Sequence, residues 1–147
     1  MAAAKCLPLP MMPTLGLARV LLVDDDPASR LTLQTVLQAS GYFVDTAASA
    51  AEAIGKMDSK EYALILSDLH MESRDAGLRV LAHARAMEYR PASAILSTWQ
   101  QERSERSTQT GPMLIETEDI PELLGQVAGM ISARARRLAV RSIRSRN

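Results

Sequence analysis

Two short apolar runs in this chain each end in acid. Val20-Leu21-Leu22-Val23 leads into Asp24, Asp25 and Asp26, and Ala63-Leu64-Ile65-Leu66 leads through Ser67 into Asp68. Runs of that length suit strands buried on both faces of a sheet, and two such strands deliver carboxylates to one shared edge. Carboxylates gathered there repel one another unless a cation joins them, and an all-oxygen ligand set suits a hard ion such as Mg²⁺. The chemistry this spacing points to is metal-assisted phosphoryl transfer. An isolated Asp-Asp-Asp reads more readily as a solvated turn and helix cap. The buried strand before it and the second acid at Asp68 tip the balance toward a cation site.

The elements that must position these acids follow from the hydrophobic pattern. Residues 20–23 predict a strand, after which Pro27 suits the first turn of a helix with Asp26 as N-cap. Leu33, Val36 and Leu37 repeat at helical spacing until Gly41. Residues 42–46 predict a second strand, and Ser49 a cap for a helix with Ala50, Ala53, Ile54 and Met57 on one face. A polar turn at Asp58, Ser59 and Lys60 precedes a third strand over 62–67. A loop over 68–77 leads to a helix over 78–88 with Leu78, Leu81, Ala82 and Arg85 in register, and Pro91 stops it. Residues 93–97 and 113–115 predict the last strands. Residues 100–110 between them carry almost no apolar face, so any helix there is weakly held. A final helix over 121–138 buries Leu123, Leu124, Val127 and Ile131. Strands alternating with helices imply right-handed crossovers and a parallel sheet covered on both faces, with its ligand crevice at the carboxyl ends of the strands. Both acid clusters fall at that edge.

At 147 residues the chain suits a single domain. Lysine plus arginine equals aspartate plus glutamate, 17 against 17, so overall charge argues for neither a nucleic-acid nor a membrane partner. Residues 130–147 hold six arginines and no acid. Arg134, Arg137, Arg141 and Arg144 recur at helical spacing and fit a solvated extension of the last helix, and no aromatic residue interleaves with them to stack bases. The lone Cys6 excludes an internal disulfide and a cysteine metal cluster, which favours a reducing cytoplasm. No run approaches the roughly 18 apolar residues of a membrane span. Residues 1–17, broken by Pro8, Pro10 and Pro13, read as a disordered leader rather than a signal peptide.

An ordered set of motifs now resembles the receiver domain of bacterial two-component response regulators: Val23-Asp24-Asp25-Asp26-Pro27, the strand ending at Asp68, His70-Met71, Asp75-Ala76-Gly77-Leu78 and Leu96-Ser97-Thr98. The resemblance covers residues 18–132 and leaves 133–147 as a basic helix extension or tail. It implies an α/β, flavodoxin-like, doubly wound sheet of five parallel strands, and signalling rather than enzymatic work. It further implies that Asp68 is the phosphoacceptor, served by a histidine kinase or phosphotransfer protein. Asp25 would bind Mg²⁺ directly, Asp24 through water, with Asp68 and the main-chain carbonyl of His70 as further ligands. Ser97 would hydrogen-bond the attached phosphoryl group. With no output domain following, the expectation is a stand-alone receiver that signals to a downstream protein by contact, with homodimer formation left open.

The chain also departs from that family's pattern. Glu116-Thr117 stands where a lysine followed by proline is usual, Glu72 where a proline is usual four residues after the acceptor, and Met113 at the aromatic position of the fifth strand. At a separation of ~4 Å and an effective dielectric near ~20, a lysine attracts a phosphoryl group by about 4 kcal/mol per unit charge, and a glutamate repels it comparably. A degenerate receiver that works as a phosphorylation-independent interaction module is therefore the second reading. A third is a hydrolase resembling the haloacid-dehalogenase family, with Asp24 as nucleophile and Asp26 as acid–base. Ala28 stands where that family has Thr or Val, and neither its lysine nor its cap segment is evident. His70 and Trp99, each two residues past a site residue, are placed to influence the lifetime of the phosphoryl group. His83 reads as a boundary residue of its helix.

Overall fold

A computed structural model of the chain describes residues 18–69, 71–97 and 114–146. Residues 1–17, His70, Trp99, residues 100–110 and Met113 lie outside the described residues, as do the side chains of Ser97, Leu114 and Glu116.

Continuous apolar runs become the middle of a parallel sheet, as strands buried on both faces must. The strands are β1 (Arg19–Val23), β2 (Phe43–Ala47), β3 (Leu64–Asp68), β4 (Ala92–Ser97) and β5 (Leu114–Glu116), in the order β2-β1-β3-β4-β5. Every pairing is parallel. Among the described residues the helices are α1 (Pro27–Ala39), α2 (Ala50–Ser59), α3 (Ala76–Ala86) and α4 (Ile120–Arg146). The strand pleat divides the core in two. Val20, Leu22, Leu64 and Leu66 meet Leu33 and Leu37 of α1 and Leu123 and Val127 of α4 on one face. Leu21, Val23 and Ile65 meet Ala50, Ala53 and Met57 of α2 and Ala76, Val80 and Ala84 of α3 on the other. This is the parallel sheet covered on both faces that the alternation of strands and helices predicts, and the doubly wound, flavodoxin-like fold that the resemblance implies.

The helix ends follow from local chemistry. Asp26 Oδ2 accepts the Ser29 N–H at 2.9 Å, with Pro27 in the first turn of α1. Gly41 ends the connection with φ at 100°, a conformation that favours glycine. At α2 the Ser49 hydroxyl accepts the Glu52 N–H at 3.1 Å and Glu52 reaches back to the Ala48 N–H, a reciprocal cap.

Two expectations shift. Helix α3 begins at Ala76 rather than Leu78, and its inward face is Ala76, Gly77, Val80, Leu81 and Ala84, with Leu78, Ala82 and Arg85 exposed. The cause is close packing at Gly77: a Cβ there would lie 2.3 Å from the Asp68 carbonyl oxygen and 2.8 Å from Leu69 Cα. That contact fixes the rotation of the helix, and Leu78 is carried outward. Helix α4 runs on to Arg146, and Arg134 is not a solvated residue of that extension. Its Nε donates to the Arg90 carbonyl at 3.0 Å and its Nη2 to the Tyr89 carbonyl at 2.8 Å. The fork grips the α3–β4 turn at Arg90, whose φ of 50° lies in the left-handed region.

Candidate functional site

Strands β1 and β3 are neighbours paired from Val20↔Leu64 to Val23↔Ser67. Their C-terminal ends therefore stand side by side, and the acids that follow meet. One carboxylate oxygen from each of Asp24, Asp25 and Asp68 lies within 4.8 Å of the others. Asp24 is buried, Asp68 half-buried and Asp25 exposed, so among the described residues the cluster meets water at Asp25.

Each acid of the triplet has its own position. The Asp24 N–H donates to the Ala47 carbonyl at 3.0 Å, extending the β1–β2 ladder by one residue, and Asp24 Oδ1 accepts the Asp26 N–H at 3.0 Å. The Asp24 carbonyl accepts Arg30 Nη1 from the second turn of α1 at 2.8 Å. The turn is thus held from both sides, while Asp26 is committed to capping α1. On the other strand, the buried Ser67 hydroxyl donates to the Asp68 carbonyl at 2.9 Å, and the Gly77 N–H donates to the Leu69 carbonyl at 3.0 Å. Asp68 pairs with Leu96 in the β3–β4 register, which puts Ser97 one residue further along the same edge. Ser97 in turn pairs with Glu116, the last residue of β5.

Asp24, Asp25 and Asp68 are therefore brought together, Ser97 and Glu116 lie by backbone register at the same end of the sheet, and His70 lies outside the described residues. His83 is elsewhere: on α3, with Nε2 2.7 Å from Asp58 Oδ1 of α2, a surface contact between helices. A groove of about 520 Å³, lined by Pro91, Ser93, Gln126, Met130 and Arg137 among others, lies by the opposite end of the sheet, where β4 begins. The sequence gives no sign of the contacts that Arg30 makes with the Asp24 carbonyl or Glu72 with α2. Glu72 Oε2 accepts the Ala50 N–H at the start of α2 at 3.0 Å and lies 3.8 Å from Arg79 Nη2.

Three carboxylates thus gather at the carboxyl edge of a five-stranded parallel sheet, where ligands of such sheets bind, and their oxygens are of the kind that hard cations take. Residues 20–112, more than half of the chain, match the response regulator receiver domain, and the chain belongs to that family. It is 36% identical over 87 residues to a gliding motility regulatory protein of Myxococcus xanthus, a match covering 59% of this chain and 11% of that protein. It is 30% identical over 103 residues to an uncharacterised 14.6 kDa protein of Leptolyngbya boryana, covering 68% of this chain and 78% of the other. Among solved structures, a response regulator of Thermotoga maritima in complex with Mg²⁺-BeF superposes with a TM-score of 0.66 at 30% identity, over 78% of this chain and 99% of that one. The chain spans 11% to 16% of the length of the first curated relatives it matches.

Proposed function

We propose that Asp68 accepts a phosphoryl group from a histidine kinase or phosphotransfer protein in a phosphorelay, and that the phosphorylated domain signals by protein contact. The observation that carries this reading is the set of carboxylate oxygens of Asp24, Asp25 and Asp68 within 4.8 Å of one another. Those donors fit Mg²⁺: all are hard oxygens, and the exposed side at Asp25 leaves room for the waters this ion keeps. Asp24, Asp25, Asp68 and the main-chain carbonyl of His70 would hold it. When bound, Mg²⁺ neutralises charge between an anionic nucleophile and an anionic phosphoryl group.

An Asp68 oxygen forms the new P–O bond as the donor's P–N bond breaks, and the electron pair stays on the imidazole nitrogen. Asp24, fixed by the Asp26 N–H and by Arg30 on its carbonyl, keeps the acid edge in place as Asp68 acts. Ser97, at the end of β4, offers a hydroxyl to the attached group. Phosphorylation then biases a two-state equilibrium that a partner reads. The cytoplasm, where such donors act, is the proposed setting, and among the described residues no helix is long and apolar enough to cross a membrane.

A second reading is supported by Glu116, the last residue of β5 in register with Ser97, which the resemblance aligns with the family's usual lysine. On that reading the domain binds its partner without phosphorylation. The hydrolase reading is not carried further, because the chain matches the receiver family and Asp26 is engaged as a helix cap. Intact mass after incubation with Mg²⁺ and acetyl phosphate separates the two that remain. A gain of one phosphoryl mass, absent in Asp68→Asn, is the expected result. No gain, together with no binding of Mg²⁺ or beryllofluoride, favours the phosphorylation-independent module.

A further inference from the structure

We infer that Glu72 is a positioning residue for the metal edge, pinning the loop that follows Asp68 to the N-terminus of α2. This rests on the reading of Asp68, Asp24 and Asp25 as a Mg²⁺ site. The loop between β3 and α3 is tied internally among its described residues by the Met71 and Ala76 N–H groups on the Ser73 carbonyl, each at 3.3 Å, and by the Ser73 hydroxyl on Asp75 Oδ1 at 2.7 Å. Its base is closed by the Gly77 N–H on the Leu69 carbonyl. None of these fixes the middle of the loop against the rest of the molecule. Glu72 does: its carboxylate crosses to the Ala50 N–H, a first-turn donor of α2 that has no partner within its own helix. A carboxylate on a main-chain N–H at a helix start gains from charge assistance and from the helix dipole. Arg79 of α3, 3.8 Å from Glu72 and 4.0 Å from Asp75, braces the same loop from its far side.

Consequences for the site follow from where the tie is anchored. Ala50 follows Ala47, Ala48 and Ser49, and Ala47 is the residue whose carbonyl receives the Asp24 N–H. Glu72 therefore joins the loop after Asp68 to the same β2–α2 connection that holds Asp24. The two halves of the acid cluster are referenced to one piece of backbone. Releasing the loop loosens one half against the other and weakens the cation they share.

Mg²⁺ titration by calorimetry on the full chain tests this with Glu72→Ala and Glu72→Gln. Both remove the same negative charge near the site, but only glutamine keeps an oxygen that can accept the Ala50 N–H. The expected result is roughly 10-fold weaker Mg²⁺ binding in Glu72→Ala, the low end of what outer supports of a metal site contribute, with Glu72→Gln within about twofold of wild type. Amide exchange supplies the structural readout: the Ala50 N–H is protected in wild type and Glu72→Gln and exposed in Glu72→Ala. Equal weakening in both variants would assign the effect to charge alone and overturn the inference, as would an unprotected Ala50 amide in the wild type. Unchanged affinity in Glu72→Ala would do the same. Failure of the wild type itself to bind Mg²⁺ would instead sink the reading of the acid edge on which the inference rests.

Discussion

Acid is treated in opposite ways at two places in this sheet. At the carboxyl ends of β1 and β3, three carboxylates converge within 4.8 Å. On β2, a single carboxylate, Asp45, is surrounded by groups that satisfy it: the Tyr62 hydroxyl donates to it at 2.8 Å, Lys60 Nζ lies at 3.4 Å and Arg19 Nη1 at 3.7 Å. Asp45 ties strands and a loop together, and its charge is answered by neighbours. The cluster concentrates charge, which on the proposed reading is what a shared cation would offset. The same side chain is a fastener on β2 and, on the proposed reading, a ligand at the acid edge.

The largest expected effect breaks the acid edge. Asp24→Asn keeps an oxygen for the Asp26 N–H, so the turn survives while one charge goes. Mg²⁺ affinity should fall by roughly 100-fold or more, since a group in the site itself outweighs its supports. Stability without metal should hold or rise by about 1 kcal/mol, the scale of one like-charge pair a few ångströms apart in water. Calorimetric titration and urea melts in a chelator check both. A destabilised metal-free variant would show that Asp24 is a fastener like Asp45.

Next comes Gly77→Ala, which attacks the edge through packing. The added methyl would meet the Asp68 carbonyl oxygen at 2.3 Å and the Leu69 carbonyl oxygen at 2.8 Å, both main-chain atoms that cannot swing aside. A loss of about 3 kcal/mol is expected, measured by denaturant unfolding, with Mg²⁺ binding weakened because Asp68 must shift. Gly125→Ala is the control: it meets nothing within 4 Å and sits on the exposed side of α4.

How far these regions were legible in the sequence depends on how local their determinants are. The acid edge was legible because an apolar run ending in acid is a local pattern and parallel pairing does the rest. The caps at Asp26 and Ser49 were legible for the same reason. The rotation of α3 was not, since Leu78, Leu81 and Ala82 satisfy helical spacing as well as Gly77, Val80, Leu81 and Ala84 do. The choice is made by the approach of Gly77 to β3, a contact across the fold. Glu72 could be seen only as a departure from a family pattern, because its partner Ala50 lies 22 residues back. Glu116 was expected at the end of the fifth strand and is the last residue of β5, paired with Ser97.

Away from the acids, Arg134→Ala should cost about 2 kcal/mol, the range of hydrogen bonds from a charged donor, and leave Mg²⁺ affinity unchanged. Arg134→Lys keeps the charge but not the fork that reaches two consecutive carbonyls, and should recover less than half of the loss. Thermal melts with and without Mg²⁺ separate this support from the site. A change in Mg²⁺ affinity would instead couple the α3–β4 turn to the acid edge.

The smallest effect sharpens the contrast most, because it reverses the sign seen at Asp24. Burial opposes ionisation of Asp45, but the Tyr62 hydroxyl, Lys60 and Arg19 outweigh it and hold the carboxyl below its usual range. A carboxyl depressed in the folded state contributes stability that is complete above the unfolded value near ~3.9 and is lost as pH falls through the folded value. Asp45→Asn should therefore cost about 1 kcal/mol at neutral pH, with the gap to wild type closing below pH ~4. Tyr62 is raised mainly by burial and secondarily by Asp45. Its contribution is present below pH ~10 and declines above it as the unfolded chain ionises. Because burial remains in the variant, the alkaline limb of the stability profile should largely persist while the acid limb flattens. Urea melts from pH 3 to 11 read both limbs, and an Asp45→Asn profile parallel to wild type at low pH would mean that Asp45 is not the fastener its neighbours make it.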